Sequence, residues 1–402
     1  MAGNDFDPGE LSLFDPRFIS DPHPVYRKVR AQCPVAVDPF AGNPMLTRHE
    51  DIADALRTPG VYSSGMDATA LGNQRPLIPL QVDPPLHTEY RKLLDPRFSR
   101  ARVRELEGDV RQLAGRLVND FVENGRCEFN SEFAIPFPCS VFLGLMGLPL
   151  EDLDTFLALK NGIIRPPATD QQDAEAARER AARKIDDYFT RALARKKKNP
   201  GEDLMSWFLG AEIEGRKLTH DEVLGICFLF LLGGLDTVTA TLGCSVEWLA
   251  RNPVDRARLV ADPSLLPGAV DELLRFHTPV VGVARVLRRG VTLGGHEYEA
   301  GQPITLLLGS ANTDSDAFKE GDSVKFDREP NPHLAFGAGP HRCLGSHLAR
   351  MELKIALEEL HKRIPSYAIA DGEKVRFGLA IREVECLPLV FPPGIRTQAD
   401  AS

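Results

Sequence analysis

Apolar residues recur with a helical period over much of the chain. Val103, Leu106, Val110, Leu113, Leu117 and Phe121 fall three or four positions apart and predict one helix over 103–122. The pattern turns helical already from His87, and further helices are expected over 150–159 and 174–197. The second of these is heavily charged, and Arg165-Pro166-Pro167 marks the break between them. Residues 219–251 read as one long helix that is apolar at nearly every position from 223 to 235. A helix without a polar face belongs in the middle of a large helical protein. Its apolar run is 13 residues, short of the roughly 20 needed to span a bilayer. Helices over 265–276 and 344–363 follow, the latter with Leu344, Leu348, Met351, Ile355 and Leu360 on one stripe. Shorter signals are a patterned piece at 25–33, a helix over 49–57, a proline-rich loop over 71–85, and strands at 45–47, 286–292, 297–298, 304–308 and 385–391. Helix dominates, with no repeat and no low-complexity linker, so one domain over 1–402 is expected.

Composition narrows the function. Hydrophobic residues make up 43% of 402, enough for a sizeable core, and the net charge of −9 argues against a nucleic-acid partner. The first residues, MAGNDFDPGELSLFDPRF, are acidic and broken by prolines. They show neither the basic nor the apolar region of a signal peptide, which predicts a soluble, cytoplasmic protein with no membrane partner. Seven scattered cysteines without a CxxC pair fit a reducing compartment, with at least one thiol left for chemistry.

The segment Phe336-Gly-Ala-Gly-Pro-His-Arg-Cys-Leu-Gly345 carries the strongest signal. Its glycines let backbone approach a flat ligand. Cys343 stands where the helix over 344–363 begins, and free backbone N–H groups and the helix dipole favour a thiolate there. An inert cysteine, a Cys–His nucleophile, or a zinc ligand with His333, His341 and His347 are the other readings, although the close ligand pairs usual for zinc do not occur.

The segment resembles the haem-binding signature FGxGxHxCxG of the cytochrome P450 superfamily, soluble bacterial class, through Phe336, Gly337, Gly339, His341, Cys343 and Gly345. The resemblance runs from Asp21-Pro-His-Pro-Val-Tyr to the C-terminal strand. It implies a mainly α fold, a triangular helical prism with a small β-rich lobe. It also implies haem b (iron protoporphyrin IX), with Cys343 as the axial metal ligand, Phe336 packed beside it and Gly345 among the cofactor-binding residues. Glu272-Leu-Leu-Arg275 alone would be an ordinary surface pair. Placed before the cysteine segment, it matches the family's ExxR, with Arg328 as third member of a structural charge network. Asp83-Pro-Pro-Leu-His87-Thr-Glu-Tyr-Arg91 resembles DPPxHxxxR, which puts His87 and Arg91 on a haem propionate, with Arg285 and His341 as further partners.

Gly233-Gly-Leu-Asp-Thr237 resembles the oxygen-binding motif, with Gly233 where alanine is commoner. Its two glycines make room beside the helix, and Thr237 is expected to bond back to the Gly233 carbonyl and bend it. The resemblance makes Asp236 a proton relay and Thr237 the hydrogen-bond partner of bound oxygen. Alternatively, Asp236 is paired structurally and Thr237 merely back-bonded. Family positions give a substrate pocket drawn from 71–80, 162–165, 232–237, 280–283 and 378–381. Arg75, Leu77, Ile78, Gly233, Val280, Val281, Val283, Leu379 and Ile381 belong to it. Its apolar character implies a small hydrophobic substrate, and Arg75 either meets a substrate carboxylate or lies on the surface. With no flavin-binding fingerprint and no Fe–S cysteine cluster, electrons for the reduction of O2 are expected from a separate ferredoxin or flavodoxin. Arg91, Arg97, Arg100, Arg102, Arg104 and Arg342 form its docking face or a solvated basic stretch. A monomer is expected. A peroxide-driven enzyme and a haem-based binding or sensor protein remain as alternatives.

Overall fold

The computed structural model describes residues 18, 20–32, 35–37, 42–66, 75–166, 170–378 and 381–396. Its helices are α1 (His23–Gln32), α2 (His49–Arg57), α3 (Leu86–Leu94), α4 (Arg100–Glu105), α5 (Glu107–Phe121), α6 (Pro136–Met146), α7 (Leu153–Ile164), α8 (Gln171–Lys198), α9 (Leu204–Phe208), α10 (His220–Arg251), α11 (Pro253–Ala261), α12 (Leu266–His277), α13 (Leu308–Ala311) and α14 (Ser346–Arg363). The strands are β1 (Val35–Val37), β2 (Pro44–Leu46), β3 (Tyr62–Ser63), β4 (Arg126–Glu128), β5 (Glu212–Ile213), β6 (Arg216–Lys217), β7 (Val283–Leu287), β8 (Val291–Leu293), β9 (His296–Tyr298), β10 (Pro303–Leu306), β11 (Ala368–Ile369), β12 (Arg376–Phe377), β13 (Val384–Cys386) and β14 (Pro388–Val390). Helix therefore dominates, as the apolar periodicity predicts.

Several predicted elements are divided in the structure. The helix expected over 103–122 breaks at Leu106, where Glu107 and Asp109 open a new first turn; acidic residues favour a helix start. The strand expected over 286–292 is β7 and β8, separated by Arg288-Arg289-Gly290. The strand over 385–391 is β13 and β14, which pair with different partners, β12 for the first and β4 and β11 for the second. The last long helix begins at Ser346 with Gly345 as its cap, so Cys343 precedes the helix by a turn rather than opening it.

The chain forms two compact units. One comprises residues 64–103 and 135–236. There α7 packs along α8, and Phe156 of α7 meets Tyr188 and Phe189 of α8 edge-on, with centroids 4.8 and 5.9 Å apart. The other comprises 1–63, 104–134 and 237–402. Its five-stranded sheet runs β1-β2-β10-β7-β3, with Thr305 of β10 opposite Met45 in a parallel pair and Ala284 in an antiparallel pair. Leu46, Leu287, Ile304 and Leu306 of this sheet are buried against Ile52, Ala55 and Leu56 of α2. In the same unit α14 packs along α5, where Arg111 donates to Glu358 and Glu359 at 2.6 and 2.8 Å. Helix α10 belongs to the first unit up to Asp236 and to the second from Thr237. It is long and apolar enough to cross a membrane, yet 67% of its most apolar stretch is buried inside the protein; it is a core helix.

Glu352 on α14 is 3% exposed, and burial alone pushes its carboxyl up to about 8. The folded state then binds a proton that the unfolded state has lost above its ordinary value near 4.5. Folding stability should therefore fall as pH rises from about 5 to 8, by roughly 1.4 kcal/mol per pH unit for this one group. Glu352→Gln should flatten that slope and raise the melting temperature at pH 8; an unchanged slope would mean that Glu352 does not titrate there.

Candidate functional site

The cysteine turn is built from hydrogen bonds within one unit. The Cys343 amide donates to the Phe336 carbonyl at 2.8 Å, and the Gly337 amide to the Leu334 carbonyl at 2.8 Å. Gly337 and Gly339 both lie at φ +66°. A Cβ on Gly339 would overlap the Leu56 carbonyl at the end of α2, so glycine is needed there for both conformation and close approach. Of the cysteines described, Cys127, Cys139, Cys227 and Cys244 are buried, Cys386 is half-buried, and Cys343 is exposed. Burial pushes the Cys127 and Cys227 thiols far up and Cys244 up to about 11, which leaves them inert. Phe336 packs beside the turn with the Arg350 guanidinium 4.5 Å from its ring centre, and Arg350 is held by Asp271 at 2.6 Å. His333 also turns to Asp271, at 3.4 Å. Among the described residues no three His, Cys, Asp or Glu side chains converge as a metal-ion site.

Glu272, Arg275 and Arg328 form a charge network in this unit. Glu272 and Arg275 are both 0% exposed. Arg275 grips both Glu272 oxygens at 2.8 Å, and Arg328 Nε reaches both at 3.0 Å. The Lys325 amide and the Asn331 side chain also donate to Glu272, at 2.8 and 3.2 Å. The remaining guanidinium bonds explain the network's use. Arg275 donates to the carbonyls of Asn312, Gly321 and Ser323. The Asn312 side chain in turn accepts from the Leu334 amide at 2.6 Å. A continuous path thus runs from Glu272 to the residue where the cysteine turn starts.

Helix α10 carries the second part of the constellation. A Cβ at Gly233 would meet nothing within 4 Å, whereas one at Gly234 would stand 3.2 Å from the Phe142 ring. The two glycines therefore act differently, one leaving open space and the other admitting Phe142. Asp236 is 0% exposed and is ion-paired through Oδ1 to Lys160 of α7, itself 4% exposed. The other oxygen, Oδ2, is buried with no hydrogen-bond partner. One turn beyond Thr237, Thr241 donates to the Thr237 carbonyl at 2.7 Å, the back-bond that tends to bend helices.

His87 is 2% exposed on α3. Burial and, after it, the positive charge of Arg91 push its imidazole down to about 4, so it is neutral near pH 7. Arg91 also bonds Asp95 at 2.6 Å. Arg285 lies on β7 opposite Ile304, 7% exposed, and His341 is half-buried two residues before Cys343.

Leu77 and Ile78 are buried, and Ile78 lies against Gly225 of α10. Val280, Val281, Val283 and Ile381 are half-buried. Leu379 and positions 71–74 lie outside the described residues. Arg75 is ion-paired with Asp186 at 2.6 Å and Asp221 at 3.3 Å, so the protein's own carboxylates meet its charge. Arg100, Arg102, Arg104 and Arg342 are exposed, while Arg97 lies over the Trp207 ring at 4.1 Å.

These residues fit an iron porphyrin. The soft thiol is exposed on a rigid turn, and a Cβ on the adjoining Gly345 would meet nothing within 4 Å, leaving an open face for a flat ligand. Sequence reasoning missed Lys160 and Arg350. A lone charged residue in the largely apolar Phe156–Ile164 run was the available signal for the first; nothing in the pattern distinguishes Arg350 from other helix arginines.

The family model described as Cytochrome P450 matches residues 255–363. A Mycobacterium tuberculosis protein named steroid C26-monooxygenase is 33% identical over 394 residues, covering 96% of this chain and 98% of its own. The solved structure of CYP109E1 from Bacillus megaterium in complex with testosterone superposes with a TM-score of 0.87 at 27% identity, covering 94% of this chain and 99% of that one. A mutant of P450 EryK in complex with erythromycin B superposes with a TM-score of 0.85 at 26% identity, with coverage of 94% and 99%.

Proposed function

Because the chain belongs to the cytochrome P450 family, and is thus a haem-dependent monooxygenase, we propose that it inserts one oxygen atom of O2 into a C–H bond of a small hydrophobic molecule, using electrons from a separate ferredoxin or flavodoxin. The observation that carries this reading is the exposed Cys343 on its glycine turn, braced by the Glu272 network. Cys343 would ligate the iron, and Arg285, His341, His87 and Arg91 would receive the propionates. His87, neutral near pH 7, would donate a hydrogen bond and leave the charge to the arginines. When bound, haem supplies an iron that takes up O2, and thiolate donation favours O–O cleavage.

The chain's own residues manage protons and space. Lys160 holds one oxygen of Asp236 and fixes the carboxylate, while the unpartnered Oδ2 would take a proton from water and pass it on. Thr237, next in sequence, would orient the reacting oxygen through its hydroxyl. Gly233 keeps open the space that the substrate needs. Val280, Val281, Val283 and Ile381 would supply apolar walls. Steroids are the first substrate class to test, given the steroid C26-monooxygenase name of the mycobacterial relative and the testosterone in one structural neighbour. The proposal extends to a single catalytic domain over 1–402, acting as a cytoplasmic monomer.

The test is Thr237→Ala with a surrogate ferredoxin system and a steroid that shifts the haem spectrum. Product formed per NADH should fall several-fold, with hydrogen peroxide released in its place. Unchanged coupling would remove Thr237 from the mechanism, and steroid binding by the wild type without NADH use or product would argue for a binding protein instead.

A further inference from the structure

Away from the cysteine turn, four polar side chains gather in the larger unit with several of their polar atoms unsatisfied. His23 and Tyr26 come from α1, His277 ends α12, and Arg382 precedes β13. They are 9%, 2%, 3% and 7% exposed. The His23 and Tyr26 rings lie 6.1 Å apart, His23 stacks on Phe276 at 4.2 Å, and Phe276 meets His277 at 5.3 Å. Arg382 Nη1 reaches His277 at both Nδ1 (3.1 Å) and the carbonyl (3.0 Å). Five buried atoms of this cluster have no hydrogen-bond partner: both ring nitrogens of His23, the Tyr26 hydroxyl, His277 Nε2 and Arg382 Nε.

Protonation follows from the contacts. A guanidinium has no lone pair, so His277 Nδ1 must accept from Arg382. That fixes the His277 tautomer with its proton on Nε2, an N–H left without an acceptor. Arg382 Nε–H is a second such donor and the Tyr26 hydroxyl a third. His23 is neutral, because burial and then Arg382, Arg275, Arg27 and Arg30 hold its imidazole well below its usual range; it adds a fourth N–H. Burial and then the positive charge of Arg382 hold the His277 imidazole well below its usual range in the same way. Arg382 has no ion-pair partner among the described residues, and the neighbouring Glu383 carboxylate lies against Gly378 instead. The cluster therefore has four unused donors and one buried, uncompensated positive charge. Leaving that charge unpaired is costly, and unsatisfied buried donors call for an ion or water. Water satisfies donors but leaves the charge uncompensated; an anion does both.

We propose that Arg382, His277, His23 and Tyr26 form a buried site for a small inorganic anion of the halide class. The site also has a structural reach. The Arg382 amide donates to the Pro279 carbonyl at 3.1 Å, and its own carbonyl accepts from Cys244 at 3.6 Å. Residues 280–283 and 381, the apolar walls named above, adjoin these anchors in sequence, so the anion steadies the backbone that presents them.

Crystals of the full chain grown in sodium bromide test this directly. An anomalous difference peak within hydrogen-bond distance of Arg382 Nε and His277 Nε2 is expected; a site holding only water, with bromide ordered elsewhere or nowhere, overturns the proposal. In solution, chloride should raise the unfolding temperature over gluconate at equal ionic strength, in a saturable way. Tyr26→Phe removes one donor and keeps the ring, and should weaken the half-saturating chloride concentration about tenfold. Arg382→Gln should abolish the chloride response. Equal chloride responses in the wild type and the Tyr26→Phe variant would contradict the assignment even if Arg382→Gln fails to fold.

Discussion

Glu272→Gln is expected to give a protein that unfolds at markedly lower temperature and binds haem poorly. Glu272 is the counter-charge for two buried arginines, Arg275 and Arg328, whose side chains are 0% and 6% exposed. Removing it leaves two positive charges in the interior, and breaking such a buried pair costs about 3–5 kcal/mol. That is a large part of the roughly 5–15 kcal/mol that holds a typical domain together. The loss would also be directed. Arg275 bonds the Asn312 carbonyl, and the Asn312 side chain fixes the Leu334 amide, so the turn that presents Cys343 loosens first. Purified variant should show a haem-to-protein ratio well below that of the wild type, measured alongside its unfolding temperature. Full haem content at an unchanged unfolding temperature would show that the network neither stabilises the fold nor places the turn.

The second large effect concerns Asp236 and Lys160. Asp236→Asn should cut coupled turnover by roughly 10²-fold or more, the scale of a positioned proton carrier. It also leaves the Lys160 ammonium buried without a counter-ion, so stability falls as well. Lys160→Met leaves Asp236 without its partner, and the carboxyl is then expected to take up a proton and lose its relay function. The two roles separate in the double variant Lys160→Met/Asp236→Leu. An apolar pair of similar volume should recover stability while turnover stays low. Recovery of both would reduce the pair to a structural ion bridge. Solvent isotope effects on turnover should grow in Asp236→Asn, because proton delivery becomes limiting.

Much of this was legible in the chain. The strongly periodic α2 and the apolar α10 were readable because burial demands one repeat along the whole element. The cysteine turn was readable because several chemically fixed residues fall within ten positions. Breaks inside elements were not. Leu106 continues the apolar stripe of its neighbours, and only the new acidic first turn of α5 divides the helix. Leu387 is apolar like the strands around it, yet its amide donates to Glu128 Oε1 at 2.6 Å, a partner 259 residues away that no local pattern announces. Helix α6 was missed because it is buried on almost every face and has two prolines in its first turn, so it lacks an amphipathic period. Glu272, Arg275 and Arg328 were named from their motif, but the path through Asn312 to Leu334 is visible only in three dimensions. Lys160 was missed because a lysine in a helix ordinarily snorkels to water; here it meets the one buried acid of α10.

Cys343 is proposed to hold the haem iron as a thiolate. The direct measurement is the carbon monoxide difference spectrum of the reduced, purified protein. A Soret band shifted strongly to the red of that given by histidine-ligated haem is predicted, and Cys343→Ser should abolish it. A haem-free protein, a histidine-type band, or a thiolate-type band that persists in Cys343→Ser would show that Cys343 does not ligate a haem iron.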